Sequence, residues 1–190
     1  MIDENLPKVP PKSGIEIDEL ARVNMIKGFR HIQNLIQLQA IINFIEGGQL
    51  EKYYNLDYGV KLLPEGEEAK FMPESRIIIL SEGTYLDLFD DKPRARFTFA
   101  HELGHAVLHG EFLKLALAGR SPCKIYKRSS LRPFEDPEWQ ANRFAAAFLM
   151  PTPQITKLLR EGLRIDQIAT YFKVSISAAE TRIKKLKTNF

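Results

Sequence analysis

The stretch "RARFTFAHELGHAVLHG", Arg94 to Gly110, places two histidines four residues apart with a glutamate directly after the first. That spacing constrains the backbone. On an α-helix of 3.6 residues per turn, positions i and i+4 stack on one face about one turn apart, so His101 and His105 can aim their rings at a common point. Glu102 then lies one step round the helix, beside that point, where a carboxylate can accept a proton from a water activated by a metal ion. The flanking residues read as a helix. Asp91 is its candidate cap and Pro93 its first turn; Phe97, Ala100, Leu103 and Val107 recur at core-facing spacing, and Gly110 is its candidate end.

Two histidines on a helix are also compatible with hydrogen-bonded or surface groups, so a third ligand decides more. Structural zinc is usually closed by four ligands rich in cysteine, and the only cysteine here is Cys123. A catalytic site takes three protein ligands and leaves a position for water. The third ligand should be an acid or a histidine on a later element.

The candidate stretch is "FEDPEWQANRFAAAFLMP", Phe134 to Pro151. Asp136 before Pro137 is a helix start and Pro151 a stop. Ala141, Phe144, Ala145, Phe148 and Leu149 form an apolar stripe that must bury. Glu138 precedes that stripe on the same side. A buried carboxylate is costly without a partner, and a metal ion is one partner that keeps it charged. On spacing alone Glu138 can equally favour the helix N-terminus electrostatically, and Glu135 and Asp136 are rival ligands. Asn142, one turn on, is a candidate hydrogen-bond partner for the site or an ordinary packing amide.

The two stretches in this order, "RFTFAHELGHAVLH" then "EWQANRFAAAFLMP", resemble the ImmA/IrrE family of metallo-endopeptidases, and the resemblance runs from about Ile15 to Leu186. It implies an α+β zincin-like fold, a small mixed sheet packed on helices. It implies His101, His105 and Glu138 as metal ligands, Glu102 as general base, and Zn2+ as the ion, with Mn2+ as the alternative. It also implies a protein substrate, a helix-turn-helix repressor of the Xre type, cut to release mobile-element or stress genes.

Composition agrees. A chain of 190 residues with 44% hydrophobic content can bury one core with an appendage. A net charge of +3 is too mild to argue for nucleic acid. No apolar run reaches the length of a membrane span, and "MIDENLPKVPPK" lacks the plan of a signal peptide. A single cysteine gives no internal disulfide, which fits a cytoplasmic location, and nothing beside Cys123 marks it as an activated nucleophile.

The expected organisation is a lead-in over 1–12, a metallopeptidase domain over 13–160, and helix-turn-helix-like helices over 161–190, packed on the domain or appended to it. "SGIE" is a capping box, Ser13 to Glu16, opening a helix to about Gly28; a second helix spans about His31 to Ile45 and ends at Gly47 and Gly48. His31 reads as a surface histidine. Strands are expected at 58–63, 68–72 and 76–80, with "PEGEE" as hairpin loop between the first two. One of these strands should line the cleft, by analogy with zincins.

Between Gly110 and Pro137 the chain either prolongs the helix or loops over the site, with five basic residues from Arg120 to Arg132. Tyr126, Tyr85 and His109 are candidate transition-state donors. At the C-terminus Ala169, Val174, Ser175, Ala179 and Arg182 follow a helix-turn-helix rhythm, with Lys173 where glycine is usual and Arg182, Lys184, Lys185 and Lys187 on the second helix. A DNA-binding regulator or an interaction module retaining a metal site is therefore the alternative to a protease. The protease is the favoured reading, because an open three-ligand site beside a glutamate has no structural purpose; the tail is expected to pack on the core or help to seize the substrate, and direct DNA binding is the disfavoured reading.

Overall fold

The computed structural model describes residues 5–29 and 41–187. Helix α1, Gly14–Phe29, opens on the expected capping box: Ser13 N donates to Glu16 Oε2 at 2.7 Å and Glu16 N donates to Ser13 Oγ at 3.2 Å. Ile17, Ala21 and Met25, spaced by four, bury one face of α1 against the later helix α6, Pro137–Leu149. Most of the helix expected over 31–45, His31 included, lies outside the described residues. The described part is α2, Ile41–Glu46, after which Gly48 in the left-handed region at φ 72° starts α3, Gln49–Tyr54.

Strands β2 (Asp57–Val60), β3 (Ala69–Met72) and β4 (Ile77–Leu80) form one mixed sheet in the order β2-β4-β3. The hairpin expected across "PEGEE" does not form. Tyr58 pairs with Ile78 in parallel and Phe71 with Ile78 in antiparallel register, so β4 lies between the two strands that this loop connects. The reason is burial. The "IIIL" of β4 is the most apolar strand, with Ile78, Ile79 and Leu80 buried, and the central position gives it a neighbour on both edges. β3 is left as an edge strand.

Helix α4, Glu82–Phe89, is capped by Ser81, whose Oγ accepts from Thr84 N at 3.1 Å. Helix α5, Pro93–Leu117, carries the histidine motif and differs from expectation at both ends. Its N-cap is Lys92, and Asp91 adopts φ 54° and accepts ion pairs from Arg96 and Lys173, each at 2.7 Å, so its carboxylate is committed elsewhere. At the other end Gly110 does not stop the helix. A Cβ there would meet the Phe71 ring at 3.3 Å, so the glycine admits β3 against the helix while α5 continues.

Strand β5, Ile125–Lys127, pairs antiparallel with β1, Asn5–Pro7, in a two-stranded sheet. Short 3-10 turns at Arg128–Ser130 and Pro133–Glu135 lead into α6. Helix α6 packs along α5 at Gly104, where a Cβ would lie 3.1 Å from Phe144 Cδ1 and 3.2 Å from Ala141 O. Its apolar stripe, Ala141, Phe144, Ala145, Phe148 and Leu149, is buried throughout.

Helices α7 (Thr152–Arg160), α8 (Ile165–Phe172) and α9 (Ile176–Lys187) complete the chain. Between α8 and α9, Lys173 occupies the left-handed region at φ 51°, at the position where glycine is usual. Arg182 of α9 is buried: its guanidinium donates to both Asp18 oxygens at 3.0 and 2.9 Å and to Thr152 Oγ1 at 3.1 Å. One hydrophobic cluster reaches from Ile17 through α5 and α6 to Leu186. The architecture is α+β and zincin-like. Among the described residues no helix is long and apolar enough to cross a membrane.

Candidate metal centre

The site forms where α5 and α6 lie side by side. His101 and His105, one turn apart on α5, bring their rings to a centroid separation of 4.6 Å. Asp136 caps α6, its Oδ1 accepting from Glu138 N at 2.8 Å and Trp139 N at 3.2 Å. That cap fixes the first turn of α6 and turns Glu138 onto the histidine pair. His101 Nε2 is 3.3 Å from Glu138 Oε2, His105 Nε2 is 3.1 Å from Glu138 Oε1, and the two Nε2 atoms are 2.9 Å apart.

Those separations test whether the residues fit an ion. Donors bound tetrahedrally at about 2.0–2.1 Å lie roughly 3.3 Å from one another, the edge of the tetrahedron. The three donors match that spacing to within a few tenths of an ångström, and together they form a group able to hold a metal ion. The carboxylate and the histidines stabilise one another's charged forms. Burial would push the Glu138 carboxyl up, yet hydrogen bonds from both histidines outweigh it and hold the group well below the usual carboxylate range. Burial alone would lower the pKa of His101; Glu138, then the charge of Glu102, and a hydrogen bond with Asn142 raise it overall.

Glu102 is placed beside the donors rather than among them. Its Oε2 accepts from Phe71 N of edge strand β3 at 2.7 Å. The rival acids point elsewhere. Glu135 pairs with Lys8 and Arg132, each at 3.0 Å, and Asp136 is occupied by the cap and by Arg128 at 3.2 Å. Of the three candidate donors to a transition state, Tyr85 hydrogen-bonds Glu46, which pushes its hydroxyl pKa up to about 12, and Tyr126 lies in β5 under Lys8. Neither lines the cleft. His109 is 1% exposed and sits behind His105.

The cleft over the donors has a volume of about 570 Å³ and is walled by β3 on one side, with Arg128 and Thr98 at its margin. A larger cavity of about 1150 Å³ adjoins it, shares Glu68, Arg94, Thr98 and Arg128, and extends to Trp139 and the face of α9. β3 therefore fulfils the expectation of a strand at the cleft, and Arg128 is the member of the basic loop that reaches it. Three contributors leave no signal in the sequence: the Phe71 amide is a backbone group with no residue signature, Gln140 reaches His109 from a position that no motif marks, and the lead-in brings Leu6 to the cleft only through the long-range pairing of β1 with β5.

The peptidase M78 family model, the IrrE N-terminal-like domain, matches residues 69–184, a span that includes β3, both histidines, Glu102 and Glu138. The radiation response metalloprotease IrrE of Deinococcus radiodurans is 31% identical over 125 residues, covering 63% of this chain and 34% of that protein. The chain thus spans about a third of the length of this relative. A solved Mycobacterium tuberculosis transcriptional regulator superposes with a TM-score of 0.53 at 16% identity, covering 87% of this chain and 46% of the other. At that identity the likeness is one of fold.

Proposed function

The chain belongs to the M78 peptidase family with the IrrE N-terminal-like domain, and on that footing we propose that it is a metal-dependent endopeptidase. The observation that carries the proposal is the three-donor group of His101, His105 and Glu138 with Glu102 held next to it by Phe71 N. In this reading the three side chains hold one divalent ion, Zn2+ in first place and Mn2+ as the alternative. When bound, the ion supplies Lewis-acid polarisation of a peptide carbonyl and lowers the pKa of a water towards about 7.

The remaining work falls to the chain itself. Glu102 takes the proton of the attacking water and passes it to the amine nitrogen that leaves. Its Oε2 accepts from Phe71 N, which holds the carboxylate beside the cleft while lone pairs remain for the proton. Asn142 steadies His101. Among the described residues no strand pairs with the outer edge of β3, and apart from Phe71 N, which donates to Glu102, that edge offers an extended substrate a strand to align with.

The substrate is a protein, an Xre-type helix-turn-helix repressor, and cleavage releases the genes that it silences. The packed position of α9 supports this over the alternative of a DNA-binding regulator. Arg182, the arginine among the basic residues of the second tail helix, spends its donors on Asp18 and Thr152 inside the protein. Co-expression with a candidate Xre-type repressor tests the proposal on a gel. The expected result is a shortened repressor with the wild type and full-length repressor with Glu102→Gln; equal fragments with both would overturn it.

A further inference from the structure

We propose that His109, backed by Gln140, is a positioning residue that holds His105 in the tautomer whose Nε2 is bare and free to bind a metal ion. The inference rests on the reading of His105 as a ligand and deepens it by assigning what sets that ligand's orientation and protonation.

Gln140 is fully buried, and its Nε2 donates to two carbonyl oxygens, Pro10 O at 3.0 Å and Phe134 O at 2.9 Å. Carbonyls only accept, so the amide can face them only with its nitrogen. Its Oε1 is therefore the atom 3.2 Å from His109 Nε2. An amide oxygen also only accepts, which places a hydrogen on His109 Nε2.

His109 is 1% exposed, and its two hydrogen-bonding partners, the Gln140 amide and the His105 ring, offer no negative charge to hold a second proton on it. A neutral ring with its hydrogen on Nε2 has a bare Nδ1. That bare nitrogen lies 3.3 Å from His105 Nδ1. Two bare nitrogens at that distance would repel, and His105 Nδ1 accordingly donates to it. A neutral His105 with its hydrogen on Nδ1 has a lone pair on Nε2, the atom that faces Glu138 Oε1 at 3.1 Å and His101 Nε2 at 2.9 Å.

Each link leaves one assignment open to the next, from two backbone carbonyls to a ligand atom. Metal-binding histidines generally need such a partner on the far nitrogen, and losing it weakens metal affinity by about ten- to a hundredfold. The chain also gives the lead-in a part in the chemistry. Pro10 lies between Val9, whose N donates to Glu135 O at 3.2 Å, and Lys12, whose N donates to Phe134 O at 3.0 Å, so one acceptor for Gln140 comes from a segment docked across the start of α6.

The test uses the full chain, with zinc alone as the probe. Imidazole 15N spectra of the zinc-free wild type should show His109 with hydrogen on Nε2 and none on Nδ1; hydrogen on Nδ1 would overturn the inference. Zinc titration against a competing chelator should show His109→Phe binding about ten- to a hundredfold more weakly than wild type. Affinity within twofold of wild type in a folded variant would overturn it as well. Gln140→Met should leave the His109 ring in place but convert its spectrum to a mixture of tautomers, a change that loss of packing alone does not produce. A wild type that takes up no zinc would instead overturn the metal centre and this inference together, so the two failures are distinguishable.

Discussion

Glu102 Oε2 accepts the backbone N–H of Phe71 at 2.7 Å, so the acid beside the two histidines is tied to the strand that walls the cleft. A carboxylate held by one oxygen has a fixed direction for the other. In the proposed reaction that bond links the base to the strand that would align the substrate.

That relationship makes Glu102→Gln a clean variant. The amide oxygen can keep the bond from Phe71 N, so fold and metal binding should persist. The amide cannot take a proton, and the rate of peptide cleavage should drop by at least about a hundredfold, in keeping with the 10²–10⁴ that a positioned acid–base group contributes. Cleavage assays beside elemental analysis check it, and retained cleavage would remove Glu102 from the role of base.

Asp18 is the common partner of two buried arginines. Its carboxylate accepts from Arg143 at 2.8 and 3.0 Å and from Arg182 at 3.0 and 2.9 Å, which ties α1, α6 and α9 together. Asp18→Ala leaves both guanidinium groups without it. Breaking a buried pair from one side costs about 3–5 kcal/mol, and urea unfolding should show a loss of that order. A loss under about 1 kcal/mol, the scale of an exposed pair, would mean that the three helices do not depend on this junction.

Gly104→Ala separates helix propensity from helix packing. Alanine favours an isolated helix by roughly 0.8–1.0 kcal/mol over glycine. Here its Cβ would come within 3.2 Å of Ala141 O, a backbone atom that cannot step aside. Overpacking costs about 1–3 kcal/mol, so the variant should be destabilised despite the propensity gain. It should also bind zinc more weakly, because α6 carries Glu138. An increase in melting temperature would contradict the close approach of α5 and α6.

Legibility in the sequence followed the range of the interactions. The two helices of the site were readable because their signals are local: His101 and His105 are one turn apart, and Asp136, Pro137 and the apolar stripe mark α6 within a few residues. Strand positions were readable for the same reason. Strand order was not, since the choice of β4 rather than β2 as the neighbour of β3 is made by burial across the whole sheet. Gly110 and Asp91 misled because their local signals, a stop and a cap, were overridden by tertiary partners, the Phe71 ring and the cations of Arg96 and Lys173. The pairing of Leu6 with Tyr126 joins three-residue strands from opposite parts of the chain, too short to leave a pattern.

The acids at the start of α6 decide the account, because only one of them faces the histidines. Zinc titration of Glu135→Ala, Asp136→Ala and Glu138→Ala is the most direct measurement. Asp136→Ala should lose about 1 kcal/mol of capping and still bind one zinc, and Glu135→Ala, stripped of its pairs with Lys8 and Arg132, should bind it too. Glu138→Ala should weaken binding by more than the roughly ten- to hundredfold typical of an outer partner. A filled site in Glu138→Ala, with an empty one in either neighbour, would contradict the three-donor centre on which the proposed function stands.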